Sequence, residues 1–228
     1  MKRTPVITID GPSGTGKGSV AKAVADRLGY VLLDSGALYR ALGLAVSTHG
    51  IPFSNHEQVA DIARNINIEF GQNGADSVSL EGKDVTLAIR SEKGGDLASK
   101  VGAIPAARQA LLARQLAFRR APGLVADGRD MGTVVFPDAE VKIYLTASAE
   151  ERAQRRYKQL IGKGIGAILS DLLRDLKERD DRDSLRAISP LKPAEDATIL
   201  DTTSLDLAQV IERVMALVSA KLPIPNSL

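Results

Sequence analysis

The chain has 228 residues, 44% hydrophobic and 25% charged, a composition suited to one globular domain carrying small insertions. Thirty Lys and Arg against 28 Asp and Glu leave a formal charge of only +2, so no global positive field exists to hold a nucleic-acid backbone. The absence of Cys excludes a disulfide framework, a thiolate zinc site and a Cys nucleophile, and no apolar run approaches membrane-spanning length. A cytoplasmic protein with no nucleic-acid or membrane partner is expected.

In chain order, Val6 to Ile9 form a β-branched run that stops at Asp10 and Gly11, as a buried parallel strand would. A glycine-rich loop follows, then a helical face at Val20, Val24 and Leu28, with Gly29 placed to end the helix. Tyr30 to Leu33 reads as a second strand, and Asp34 or Ser35 can cap a helix through Leu38, Leu42 and Val46. Beyond a capping box at Ser54 and Glu57, Ile66, Ile68 and Phe70 alternate with polar residues. Val78 and Leu80 do the same past an Asn73-Gly74 turn, so the segment reads as a small antiparallel insertion. A helix from about Ala106 to Arg120 leads to a third strand, Leu124 to Ala126, which ends in Asp127 and Gly128. Val141 to Leu145 is a fourth strand, Ser148 with Glu151 a further capping box, and Thr198 to Leu200 a fifth strand. The last helix carries Leu207, Val210, Ile211, Val214 and Leu217, and Pro223 to Leu228 read as a loose tail. Strands alternating with helices imply an α/β fold with a five-stranded parallel sheet flanked by helices, its ligands at the carboxyl ends of the strands.

Gly11-Pro12-Ser13-Gly14-Thr15-Gly16-Lys17-Gly18-Ser19 fits the G-x-x-x-x-G-K form of a phosphate-binding P-loop and lies between a strand and a helix, as that motif requires. Glycines let successive backbone N–H groups face phosphate oxygens, the helix start adds positive potential, and Lys17 supplies a mobile cation. Gly18 stands where the general motif has Ser or Thr, so the hydroxyl available to Mg²⁺ is that of Ser19. The N-K-x-D segment of a GTPase does not occur. Arginines near glycine-rich loops suit a transferred phosphoryl group, which favours a kinase.

Asp34-Ser35-Gly36-Ala37-Leu38-Tyr39-Arg40 lies at the same sheet edge, where Arg40 could clamp an acceptor phosphate; a solvated helix arginine fits this segment equally well. Asp127-Gly128-Arg129-Asp130 could face phosphate through its arginine and hold Mg²⁺ through water. Arg152, Arg155 and Arg156 share a helix face before Gly162, Gly164 and Gly166, as in a closing lid. Helical spacing places Arg179, Arg182, Asp183 and Arg186 along one side. His49 and His56 are isolated and receive no role.

Together GPSGTGKG, LDSGALYRAL, ADGRDMGTVVFPDA and ERDDRD resemble bacterial cytidylate kinase, and the resemblance spans nearly the whole chain. It implies one kinase domain over residues 1–228, with a β-rich acceptor-binding insertion at 66–104 and a lid over 155–185. It implies transfer of the γ-phosphate of ATP to CMP or dCMP with Mg²⁺, by a monomer. Ser35 and Arg40 would hold the acceptor, while Ser99, Arg108 and Asp130 would read the base. Arg129, Arg179 and Arg186 would surround the phosphates, Asp183 would hold the sugar hydroxyls, and Arg155 or Arg156 would meet the donor from the lid. Asp127 is the candidate on the Mg²⁺ side, with Ser19 beside it. On the residues alone, a kinase for another small acceptor and a nucleotide-responsive switch module stay open.

Overall fold

The computed structural model describes residues 3–71, 77–162 and 164–223. In chain order its elements are β1 (Val6–Asp10), α1 (Lys17–Leu28), β2 (Val31–Asp34), α2 (Ser35–Thr48), α3 (His56–Asn65), β3 (Ile68–Phe70), β4 (Val78–Leu80) and β5 (Lys83–Asp84). There follow α4 (Thr86–Ile89), α5 (Glu92–Gly102), α6 (Pro105–Leu116), β6 (Leu124–Gly128), a π-helical turn (Met131–Val135), β7 (Val141–Thr146), α7 (Ala149–Ile161), α8 (Leu169–Leu185), β8 (Thr198–Asp201) and α9 (Leu207–Lys221). The chain forms two compact units, one of Met1–Leu33 with Leu116–Leu228 and the other of Asp34–Gln115.

The first unit is built on a five-stranded parallel sheet in the order β2-β6-β1-β7-β8. β1 lies at its centre, paired with β6 from Val6↔Leu124 to Asp10↔Gly128 and with β7 from Ile7↔Val141 to Asp10↔Tyr144. Sheets of this kind are covered on both faces, so their inner strands run apolar; Val6, Ile7, Ile9, Val125 and Ala126 are fully buried. Val20 and Val24 of α1 and Val210, Val214 and Val218 of α9 pack on the sheet. Each buried valine contributes on the order of 1.5–3 kcal/mol. α1 stops at Gly29, whose left-handed φ of 65° disfavours a side chain. The register ends all the inner strands at one edge, which places Asp10, Asp127 and Gly128 beside the loop that follows β1.

The second unit has its own core, centred on Leu38, Leu42 and Val46 of α2, Val101 of α5 and Leu111 of α6. α2 and α5 approach so closely that a Cβ on Gly43 would lie 2.8 Å from backbone and side-chain atoms of Leu97. β3, β4 and β5 form a three-stranded antiparallel sheet, with Ile68 opposite Leu80 and Phe70 opposite Val78.

Three local expectations are corrected. The cap of α3 is Asn55, whose side chain accepts from the Gln58 N–H at 3.2 Å; the helix starts one residue later than a Ser54 cap requires. α6 ends at Leu116 rather than near Arg120; beyond it the Arg119 side chain donates to the Thr4 carbonyl and to Asp138. Residues 66–104 carry the antiparallel sheet but also α4 and α5. α5 contains Gly94 and Gly95, poor helix formers, and both are buried, so packing overrides propensity there. The Asn73-Gly74 turn and the tail beyond Pro223 lie outside the described residues. Among the described residues, no helix is long and apolar enough to cross a membrane.

Candidate active site

The loop from Gly11 to Ser19 is shaped by backbone that side chains would block. Gly11 has φ 149°, and a Cβ there would meet the Leu145 carbonyl oxygen at 2.1 Å. Gly14 and Gly16 take left-handed φ values of 80° and 87°, which turn the chain into α1 at Lys17. Lys17 Nζ and Thr15 Oγ1 each donate to the Pro12 carbonyl at 3.1 Å, so loop and helix start hold one another. This is a helix N-terminus of twelve residues opened by a glycine-curled loop and a cation, a ready anion cradle. A Cβ on Gly18 would lie 3.2 Å from Asp127 Oδ2, which shows that the carboxylate ending β6 rests against the first turn of α1.

The turn after β6 and helix α8 supply the charges. Arg129 Nε donates to Asp183 Oδ2 at 3.0 Å, and both side chains are largely withdrawn from solvent. Burial pushes the Asp183 carboxyl up, but Arg129, Arg179 and Arg186 outweigh it and bring it below the usual carboxylate range. Burial likewise opposes the Arg129 charge, and the carboxylates of Asp183, Asp127 and Asp180 raise its pKa despite that. The pair is therefore ionised at neutral pH. Arg179 Nη1 reaches Ser13 Oγ at 3.4 Å, so α8 delivers a cation directly to the P-loop. Arg186 is not in the helical stripe expected for it: it is the residue that ends α8, in extended backbone, and its Nε donates to the Ser189 carbonyl. Its charge still acts on Asp183.

Arg155 is bonded to α7, to the P-loop and to the segment after β8. It donates to Glu151 at 2.9 Å, to Thr202 Oγ1 at 3.2 Å, to the Thr202 and Leu205 carbonyls, and to the Thr15 carbonyl in the P-loop. Arg156 donates to the side chain of Gln159 on its own helix. Asp130 is 2% exposed and precedes the π-helical turn, its carbonyl accepting from the Val134 and Val135 N–H groups.

Two further residues are central to the P-loop surroundings. Asp10 is buried at the end of β1 and accepts from the N–H groups of Met131 and Gly132 at 2.9 and 2.8 Å. Burial drives its carboxyl up to about 7 against those two hydrogen bonds, with help from Asp130 and Asp127. Arg152, read only as one of a helical triplet, runs beneath the P-loop and is bonded to Ser13, Ala147 and Asp180. The partners of Asp10 and the Ser13 partner of Arg152 are 121 to 139 positions away in the chain, and no local pattern signals them.

In the second unit, Ser35 opens α2 and is buried, as is Ser99 on α5. Arg40 Nη1 donates to the Ile89 carbonyl at 2.9 Å, which orients its side chain toward α4. Arg108 is 9% exposed, donates to the Gly102 carbonyl at 3.1 Å, and places its guanidinium 5.4 Å from the centre of the Tyr39 ring. Tyr39 was not singled out in the sequence.

Among the described residues, no group of three or more His, Asp or Glu could by itself hold a metal ion. Mg²⁺ at nucleotide sites keeps waters and phosphate oxygens and takes one or two carboxylates, so this donor set of Asp127 and the Ser19 hydroxyl fits it.

The family model described as cytidylate kinase matches residues 7–220. The cytidylate kinase of Stutzerimonas stutzeri (strain A1501) is 56% identical over 219 residues, covering 95% of this chain and 96% of that protein. That of Shewanella pealeana (strain ATCC 700345 / ANG-SQ1) is 51% identical over 227 residues, covering 98% and 99%. Among solved structures, an uncharacterized protein from Eubacterium ventriosum ATCC 27560 shares the fold at 13% identity, with a TM-score of 0.51 over 96% of this chain and 99% of that one.

Proposed function

The chain belongs to the cytidylate kinase family, and on that premise we propose that it transfers the γ-phosphoryl group of ATP to CMP or dCMP, giving ADP and CDP or dCDP. The observation that carries the reading is at the P-loop. Arg179 of α8 touches Ser13 in the loop, and the same helix holds Asp183 against Arg129. A cation from α8 thus meets a loop already equipped for one polyphosphate, and a second cation, Arg129, is held against the same helix.

The acceptor phosphate is an anion, so its oxygen can attack the γ-phosphorus without a general base. The new P–O bond forms as the bond to the β–γ bridging oxygen breaks, and ADP leaves in line with the attack. Positioning and charge neutralisation supply the catalysis. The amides of Gly11 to Ser19 cradle the donor phosphates, and Lys17 and Arg179 meet the charge on the transferred group. Arg129 and Arg186 bind acceptor and transferred phosphates, and Asp183 accepts from the sugar hydroxyls. When bound, Mg²⁺ draws charge from the donor phosphates; Asp127 through water and Ser19 are the residues that would hold it. Arg155 fixes the Thr202–Leu205 loop and Arg156 lies near the donor in the lid assigned to residues 155–185. By the family resemblance, Ser35 and Arg40 hold the acceptor nucleotide, Ser99 and Arg108 read cytosine, and Asp130 joins the base contacts. Residues 66–104 are assigned as the acceptor-side insertion. A cytoplasmic monomer completes the reading on family resemblance alone, and sedimentation velocity checks the monomer.

The test is ADP formation from MgATP with CMP, dCMP, UMP, AMP, GMP and no acceptor, with Lys17→Ala as control. Turnover dependent on CMP and dCMP, lost in the control, is expected. Turnover with a different acceptor would leave a P-loop kinase and remove the cytosine roles of Ser99, Arg108 and Asp130. ATP binding without acceptor-dependent turnover would point to a nucleotide switch instead.

A further inference from the structure

Arg152 sits at a junction of three elements in the first unit. Its side chain is 6% exposed, an unusual place for a guanidinium, which stays in such a site only when its donors are satisfied. From α7, Nε donates to the Ala147 carbonyl at 3.1 Å and Nη1 to the Ser13 carbonyl in the P-loop at 3.0 Å. Nη2 pairs with Asp180 Oδ2 of α8 at 2.6 Å. The P-loop backbone lies directly on its aliphatic stem: a Cβ on Gly14 would be 3.0 Å from Arg152 Cβ. Asp180 is the chain neighbour of Arg179, the arginine that reaches Ser13 Oγ at 3.4 Å. Ser13 is therefore held twice, by Arg152 at its carbonyl and by Arg179 at its hydroxyl, and the two arginines are linked through Asp180.

We propose that Arg152 is a positioning residue for phosphoryl transfer: through Asp180 it fixes the α8 turn that carries Arg179, and through the Ser13 carbonyl it fixes the P-loop that Arg179 must face. Arg152 has all three of its nitrogens committed to protein partners. Its effect passes through Arg179. The proposal rests on the reading of Arg179 as a phosphate-facing catalytic residue. Lys cannot substitute, because one ammonium on a flexible stem cannot span two carbonyls and a carboxylate in a fixed fork. A displacement on the order of 1 Å at a catalytic group costs about 10²-fold in rate, so a loosened Arg179 registers in kcat.

The experiment is a kinetic cycle on the full-length protein with MgATP and CMP, comparing wild type, Arg152→Gln, Arg179→Ala and the double variant. Arg152→Gln is expected to lower kcat by about 10- to 100-fold while the KM for CMP changes less than about threefold. In the Arg179→Ala background the same change is expected to cost nothing further. Unaltered kcat in Arg152→Gln, or an equal loss in both backgrounds, overturns the proposal, since a merely structural role would act regardless of Arg179. Arg152→Lys, which keeps the charge beside Asp180, replaces Arg152→Gln if that variant does not fold. Wild-type protein that fails to phosphorylate CMP, or Arg179→Ala with full activity, would instead refute the underlying reading.

Discussion

At the scale of single residues, two buried carboxylates, Asp10 at the end of β1 and Asp183 on α8, respond to pH in opposite ways. Asp10 has a folded pKa of about 7 against an ordinary 3.8, because burial disfavours its charge more than the Met131 and Gly132 N–H groups favour it. Its stabilising contribution is thus fully present below pH 4 and is lost as pH rises through 7, to an extent on the order of a few kcal/mol. Asp183 has a folded pKa below 3.8, so its contribution is present above that value and lost only in acid. Between about pH 4 and 7 Asp10 therefore contributes a falling slope. Urea unfolding of the wild type is expected to show stability falling over that interval, and Asp10→Asn, which cannot ionise, is expected to flatten the curve. The variant also turns an amide N–H toward one of the two backbone donors, so it starts from a lower value at pH 5. A slope that survives the substitution would mean that another group titrates there.

At the scale of elements, glycine marks where two segments must come close. Gly43 lets α2 lie against α5, and a methyl group there would sit 2.8 Å from Leu97 backbone atoms, which cannot rotate aside. Overpacking of this kind costs about 1–3 kcal/mol, whereas alanine in a helix returns about 1 kcal/mol relative to glycine. Gly43→Ala is therefore expected to lower Tm by a few degrees in a thermal melt, and an unchanged or raised Tm would show that the helices separate without cost. Elements whose signals are local were legible in the sequence. The P-loop between β1 and α1, the Asp34 cap and the alternation in β3 and β4 all lie within a few residues of the groups that define them. Others were not. α5 hides behind Gly94 and Gly95, whose helical state is imposed by packing, and the short β5 has only two exposed residues with no alternation to read. Asp10 binds residues 121 and 122 positions away and Arg152 one 139 positions away, so neither set of contacts has a local pattern in the sequence. The pairing of Arg129 with Asp183 shows the intermediate case: both residues stood out by composition, while their contact across 54 positions did not.

At the scale of the whole molecule, the separation of the two apolar cores matters for cooperativity. Among the described residues, the core of Leu38, Leu42, Val101 and Leu111 draws on residues of the second unit, and that of Ile7, Val125, Ile143 and Val214 on residues of the first. In the first, β1 is hydrogen-bonded on both sides and buried along its length, whereas β8 is a mostly exposed edge strand. Native-state amide exchange is therefore expected to be slowest in β1 and β6 and faster in β8, because opening an inner strand requires breaking two ladders and exposing a continuous core. Leu111 is fully buried, and Leu111→Ala removes about 2–5 kcal/mol from the packing of the second unit. If each core stabilises mainly the unit that contains it, this substitution accelerates exchange in residues 34–115 well before it reaches β1 and β6. Equal acceleration in both sets of amides would show that the two cores unfold as a single cooperative structure, and residues 34–115 would then have no independent opening of their own.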